Sequence, residues 1–91
     1  MAAVQRNGDA NNGGGVISST AQSTVFANDK LISVNGSTVT THGTHPNVHA
    51  GVTTANGSST VFAGGIAINR TGDADSCIHA RTGGSGDVFV G

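Results

Sequence analysis

The chain has 91 residues and a formal net charge of −1; 15 residues are glycine, 10% are charged, and there is no Trp or Tyr. A chain of this length forms at most one domain with a modest core, and without a stripe of Lys and Arg it is not expected to bind nucleic acid through charge. No apolar run approaches the ~18 residues that a bilayer span needs, and the first residues lack the apolar segment of a signal peptide, so we expect synthesis in the cytoplasm.

Short runs of Val, Ile and Phe predict β-strands along the whole chain. The runs "STVFAN" from Ser23 and "STVFAG" from Ser59 are too short for a helix, and "GDVFVG" at the end of the chain is related to both. The runs "KLISV" and "GIAIN" alternate in the manner of half-buried strands. Glycine-rich turns separate the runs, and no segment has an apolar stripe at helical spacing. We therefore predict an all-β protein.

The sequence also repeats itself. The two "STVFA" runs begin 36 residues apart, and "RNGDA" at Arg6 returns as "RTGDA" at Arg70. Three similar units in so short a chain cannot each hold a core, so we predict that residues 1–91 form a single domain whose three units share one core around a pseudo-threefold axis. The predicted equivalent core positions are Val25 and Phe26, Val61 and Phe62, and Val88 and Phe89.

The two "R-x-G-D-A" motifs contain matching carboxylates. Asp9 and Asp73 each follow a glycine, a pattern typical of a turn in which the carboxylate binds nearby backbone amides. A pair of catalytic carboxylates is the alternative interpretation, and we favour the turn. Arg6 and Arg70 are expected to pair with these or neighbouring carboxylates.

Four histidines and one cysteine are concentrated in two of the three loops between the strands. "HGTHPNVHAG" carries His42, His45 and His49 around the single proline, and "DSCIHA" carries Cys77 and His79. The repeat is expected to bring these two loops to the same end of the axis. A lone His is usually a surface polar residue and a lone Cys a small buried hydrophobe, but five such residues in two neighbouring loops predict a metal site.

Zinc is the metal that this set of side chains suits best. It prefers four nitrogen and sulfur ligands in a tetrahedron, and three His with one Cys is such a set; iron is the alternative metal. We predict the ligands His45, His49, Cys77 and His79, with His42 in reserve. Because a closed shell of four ligands leaves no position for substrate or an activated water, the predicted site is structural and the protein is not expected to be an enzyme.

The order of these motifs resembles that of the PAAR-repeat proteins, the small tip proteins of phage-type tails and bacterial type VI secretion systems. The likeness lies in "R-x-G-D", a following Cys/His position, and a Gly/Ser run into "VFVG", with "VNG" between. It covers nearly the whole chain, and "RTGDADSC…GGSGDVFVG" is its most specific part. The proline-alanine-alanine-arginine motif itself is absent. The resemblance implies a small cone of short strands and hairpins with a His/Cys metal near its apex.

The resemblance also implies a function. One copy would cap and sharpen the trimeric β-helical spike of a contractile apparatus, at the baseplate tip of a phage tail or the tip of a secretion system. It would touch the target outer membrane transiently and bind neither a small-molecule substrate nor nucleic acid. Two other hypotheses remain: a free-standing metal-binding β module, and a small metallohydrolase with Asp73 or His42 as its base.

Overall fold

The computed structural model describes residues 2–43 and 48–91. Within these ranges the chain forms nine strands of two or three residues and no helix, which confirms the all-β prediction; no described segment is a helix able to span a bilayer. The strands are β1 (Ala2–Ala3), β2 (Ile17–Ser19), β3 (Phe26–Ala27), β4 (Lys30–Leu31), β5 (Thr38–Val39), β6 (Val52–Thr53), β7 (Phe62–Ala63), β8 (Ile66–Ala67) and β9 (Phe89–Val90).

Three antiparallel pairs share one register. Strands β3 and β4 are joined by a two-residue turn, as are β7 and β8, whereas β1 and β9 come from opposite ends of the chain. In each pair a phenylalanine lies opposite an apolar residue: Phe26 opposite Leu31, Phe62 opposite Ala67, and Phe89 opposite Ala3. The two "STVFA" runs and the final "DVFV" therefore form the same structure, as their sequence similarity predicts.

The two connected hairpins use the turn that matches strand twist. Asn28 and Asp29 have φ of 55° and 63°, and Gly64 and Gly65 have φ of 59° and 80°. A two-residue turn with positive φ at both positions is type I′, in which Asn, Asp and Gly are favoured because they adopt this conformation at low cost. The turn residues therefore explain why these strands reverse so tightly.

A closed ring of backbone hydrogen bonds joins the three units. Gln5 belongs to the first unit, Ser33 to the middle unit and Asn69 to the third. The amide of Gln5 donates to the carbonyl of Asn69 (3.1 Å), that of Asn69 to the carbonyl of Ser33 (3.0 Å), and that of Ser33 to the carbonyl of Gln5 (2.9 Å). All three residues are fully buried. Each unit thus makes the same contact with the next one and receives it from the previous one. This ring is what a pseudo-threefold arrangement requires, although rotational symmetry about an axis stays a prediction.

A second ring of equivalent contacts follows further along the three units. The amides of Gly8, Gly36 and Gly72 each donate to the carbonyl of a buried residue of their own unit at 2.8–2.9 Å. The acceptors are Ile17, Thr54 and Arg81, respectively. These buried residues are different in kind, and each pairs with the next unit. The antiparallel bridges are Ile17 with Val39, Thr54 with Asp75, and Arg81 with Asn11.

The apolar core lies beside the three strand pairs. Its buried members are Val4, Ala27, Ile32, Val34, Ala63 and Ile68, and Val25, Val61 and Val88 pack against it while partly exposed.

The expectation that the phenylalanines belong to this core is wrong. Phe26, Phe62 and Phe89 are 58%, 56% and 46% exposed. Successive side chains of a strand point to opposite faces, so a Val that turns toward the core directs the following Phe to solvent. The molecule is longer in one direction than in the others, at 36 × 23 × 22 Å.

The "R-x-G-D" turns have the structural role that the sequence predicts. The carboxylate of Asp9 accepts hydrogen bonds from the backbone amide and the guanidinium of Arg6, and Asp73 does the same for Arg70. The hydrogen bonds to these carboxylates raise the pKa of Arg6 and of Arg70. In the middle unit, Ser37 stands in place of the carboxylate, and its hydroxyl donates to the carbonyl of Val34. The carboxylates therefore cap turns.

Candidate metal centre

Three imidazoles and one thiol meet on one side of the molecule. One potential ligand atom from each of His42, His49, Cys77 and His79 lies within 4.8 Å of the other three. His42 is buried, and the other three are partly buried. The ring centroids of the three histidines are 4.6–5.1 Å apart. No other group of three or more His, Cys, Asp or Glu residues of this kind occurs among the described residues.

The middle unit provides two of these side chains from one extended hairpin. Val39 of β5 pairs with Val52 of β6, and the two arms continue until His42 lies opposite His49. Each of these histidines donates its backbone amide to the carbonyl of the other, at 3.0 and 2.7 Å. This pairing holds both imidazoles at the same level of the ladder, so the register of β5 and β6 determines which histidines meet.

The third unit provides the other two side chains from a tight loop. The amide of Asp75 donates to the carbonyl of His79, and the amide of Ile78 donates back to the carbonyl of Asp75, both at 2.9 Å. Ile78 has a φ of 78° and is 85% exposed. The loop therefore reverses within three residues and turns Cys77 and His79, on either side of Ile78, toward the histidines of the middle unit.

Three of the distances within the cluster are close to those around a tetrahedral ion. The Nε2 of His42 lies 2.9 Å from the Nδ1 of His79, and the Sγ of Cys77 lies 3.5 Å from each of these nitrogens. Metal–nitrogen bonds of ~2.0–2.1 Å and a metal–sulfur bond of ~2.3 Å place tetrahedral ligands about 3.3 Å (N to N) and about 3.6 Å (N to S) apart. The three atoms are thus spaced almost as a bound zinc ion would space them.

Hydrogen bonding selects the nitrogen that His42 offers to the cluster. The Nδ1 of His42 lies 2.8 Å from the carbonyl oxygen of Thr40; because a carbonyl only accepts, this nitrogen carries the proton and Nε2 keeps its lone pair for the cluster. The Nδ1 of His49 is buried and has no hydrogen-bond partner among the described residues. A buried nitrogen in that state gains from a metal ion or a shared proton.

The chemistry of the four side chains suits metal binding. Imidazole nitrogen and thiolate sulfur are the ligands of zinc and of several other divalent transition metals, and four of them complete a tetrahedral shell. The protein therefore has a cluster that can hold a metal ion, and the geometry leaves the identity of the ion open.

Three of the four predicted ligands lie in this cluster: His49, Cys77 and His79. The fourth, His45, falls outside the described residues. His42, kept in reserve by the sequence analysis, is the fourth member of the cluster. Sequence reasoning therefore identified both loops and the residue types, while the choice between His42 and His45 depends on the register of the middle hairpin.

A buried ion pair next to the cluster was not foreseen. The Nη1 of Arg81 lies 3.4 Å from the Oδ2 of Asp75, and neither side chain is exposed. Burial lowers the pKa of Arg81, and the carboxylate of Asp75 opposes this shift. Asn11 donates to the same Oδ2 at 2.8 Å, and its Nδ2 lies 3.5 Å from the Nε2 of His42.

A signal for this pair is present in the sequence. Continuing the match between the two "R-x-G-D-A" motifs at the same offset aligns Asn11 with Asp75 and Ile17 with Arg81. The third unit thus has the charged Arg81 at a buried position where the first unit has Ile17. A buried charge requires a partner.

Comparison with known proteins adds no relative. The sequence matches no protein-family model, and a search of curated proteins also finds no match. The function of the chain is therefore inferred from its own geometry.

Proposed function

We propose that His42, His49, Cys77 and His79 bind one zinc ion as a closed structural site. The spacing of three ligand atoms, which is close to tetrahedral, and the buried His49 nitrogen that has no hydrogen-bond partner in the described part of the chain support this. With four protein ligands, the ion has no open position for substrate or an activated water, so the protein is not an enzyme in this proposal. The ion would hold together the two loops that carry these side chains.

We further propose that the protein is the tip of the trimeric β-helical spike of a phage-type tail or a type VI secretion apparatus. One observation carries this proposal: the three strand pairs present one half-exposed phenylalanine each, at the same register. Three large apolar side chains on a soluble surface are typical of a binding site. A partner with three equivalent chains offers three equivalent places for them.

The closed ring of contacts between the three units supports a one-to-three match. A single chain binds a trimer evenly only if its own surface repeats three times. The buried ring of Gln5, Asn69 and Ser33 joins three similar units, and each strand pair beside it exposes one phenylalanine. In this proposal, the phenylalanines pack against the end of the spike, and the metal cluster lies at the free end that meets the target outer membrane. No nucleic acid or small-molecule substrate takes part.

A mixing experiment tests the proposal. The protein is added to trimeric β-helical spike proteins of phage tails and type VI systems, and the mass of the complex is measured by native mass spectrometry. We expect one copy per trimer. Three copies per trimer would contradict the one-to-three match, and no complex with any spike would favour a free-standing metal-binding β module.

Matched variants identify the surface involved. Replacing all three phenylalanines (Phe26→Ser, Phe62→Ser and Phe89→Ser) should weaken spike binding by about 100-fold or more, because buried aromatic side chains dominate interfaces. Ile78→Ser is the control, since Ile78 is even more exposed but belongs to the metal loop. Equal binding by the triple variant would overturn the proposed docking face.

A further inference from the structure

The loop of the first unit contributes no ligand, yet it lies against the metal cluster. We infer that Gly13, Gly15 and Asn11 are positioning residues of the metal site, which leave space for two imidazole rings and fix where they lie. The inference rests on the proposed metal binding by the cluster. It assigns a role to the run "NNGGG", whose glycines are otherwise only a turn sequence.

This loop has the same backbone as the ligand loop of the third unit. The amide of Asn11 donates to the carbonyl of Gly15 (2.8 Å), and that of Gly14 donates to the carbonyl of Asn11 (3.3 Å). These are the bonds that Asp75, Ile78 and His79 make in the third unit. At this offset Gly13 corresponds to Cys77, and Gly15 to His79. The first unit therefore places glycine at both positions where the third unit has a ligand.

Two of these glycines are required for space and not for backbone conformation. A Cβ on Gly13 would lie closer than 3.0 Å to three atoms of the His79 ring. A Cβ on Gly15 would lie within 2.8 Å of both Nδ1 and Cε1 of His42. Neither has the positive φ that excludes other residues, whereas Gly14, between them, has a φ of 92° and open space around it. The nearest obstacle to a methyl group is the His79 ring at position 13, whereas at position 15 the His42 ring and the Cγ1 of Val39 (2.8 Å) both stand in the way.

Asn11 fixes the backbone of Gly13 and Gly15. Its Oδ1 accepts hydrogen bonds from the amides of Gly13 (2.9 Å) and Gly15 (2.8 Å), and its Nδ2 donates to Asp75 (2.8 Å). The side chain is almost fully buried. The side-chain amide of Asn11 thus connects these two glycines to the start of the loop that carries Cys77 and His79.

Filling the space should move a ligand. With a methyl group at position 13, the His79 ring has to rotate, and its Nδ1 leaves the position 2.9 Å from the Nε2 of His42. Changes just outside a metal shell typically cost 10–100-fold in affinity. We expect Gly13→Ala to lower metal affinity by about that factor while the chain still folds, because the backbone conformation suits alanine.

Cobalt(II) titration measures the effect, since cobalt takes the zinc geometry and its thiolate absorption band reports the bond to Cys77. Gly13→Ala should weaken cobalt binding by about 10–100-fold. Gly86→Ala is the control, because a Cβ there meets nothing within 4 Å and its φ is not positive; it should bind like the unchanged chain. Equal affinity of Gly13→Ala and the unchanged chain would overturn the inference.

A double-mutant cycle separates positioning from general damage. In a chain that carries His79→Ala there is no ring to displace, so adding Gly13→Ala should leave cobalt affinity unchanged. An equal loss with and without the His79 ring would contradict the inference. If Gly13→Ala fails to fold, Gly15→Ala with and without His42→Ala repeats the test at the second position in a Val39→Ala background, because the Cγ1 of Val39 also lies 2.8 Å from a Cβ there. If the unchanged chain binds no cobalt, the proposed metal site itself is wrong.

Discussion

At the scale of single residues, His42 and His45 are the two candidates for the fourth ligand. His42 lies in the cluster, directs Nε2 at the Nδ1 of His79 and is oriented by the carbonyl of Thr40. We predict that His42→Ala lowers zinc affinity by more than about 100-fold, beyond the range of outer-shell changes, and that His45→Ala leaves it unchanged. Competition with a zinc indicator measures both. The opposite result would restore the sequence-based set with His45.

A second residue carries backbone strain at the edge of the site. Ile78 occupies the left-handed position that glycine takes in the first unit, where Gly14 has a φ of 92°. A β-branched residue in this region costs of order 1–3 kcal/mol, and glycine costs little there. The side chain of Ile78 is 85% exposed and has little packing to lose.

We predict that Ile78→Gly stabilises the metal-free protein by about 1 kcal/mol, the part of this strain that remains after glycine adds entropy to the unfolded chain. Urea unfolding of both chains in a chelator measures the difference. The control is Gly14→Ala, which introduces the same kind of strain in the first unit and should destabilise. A loss of stability in Ile78→Gly would contradict the strain argument.

At the scale of elements, the "R-x-G-D" turn precedes the loop that carries Cys77 and His79. The carboxylate of Asp73 satisfies the backbone amide of Arg70 and two nitrogens of its guanidinium. We predict that Asp73→Ala lowers the free energy of unfolding by about 1–2 kcal/mol, because a backbone donor loses its partner. Asp73→Asn keeps an oxygen for that donor and should lose less. Equal stability of Asp73→Ala and the unchanged chain, measured in urea, would contradict the turn-capping role.

The pattern of residue types predicts the hairpins, but it does not predict the face on which each side chain lies. Consecutive β-branched residues and the Gly-Gly and Asn-Asp turns predict the hairpins, because both have local physical causes. The face on which each phenylalanine lies was predicted wrongly, since "VF" as a pair fits either face. Only the partners of the strand decide between the faces, and these are distant in the chain.

At the scale of the whole molecule, the site is assembled from parts that the sequence keeps apart. The similarity of the units predicts that the loops of His49 and Cys77 converge, and the cluster brings them together. The contribution of Gly13 and Gly15 could not be predicted from composition, because a glycine that leaves space for a ring is identical in sequence to one that makes a turn. Such roles depend on what lies within a few ångströms in three dimensions.

X-ray absorption at the zinc edge tests the central claim most directly, namely that the middle and third units bring three imidazoles and one thiolate onto one ion. The zinc-loaded protein should contain one zinc per chain, with three nitrogen neighbours at ~2.0–2.1 Å and one sulfur at ~2.3 Å. A first shell without sulfur, or with two or more sulfur atoms, would contradict the account, since each chain has a single cysteine and that cysteine lies within the cluster.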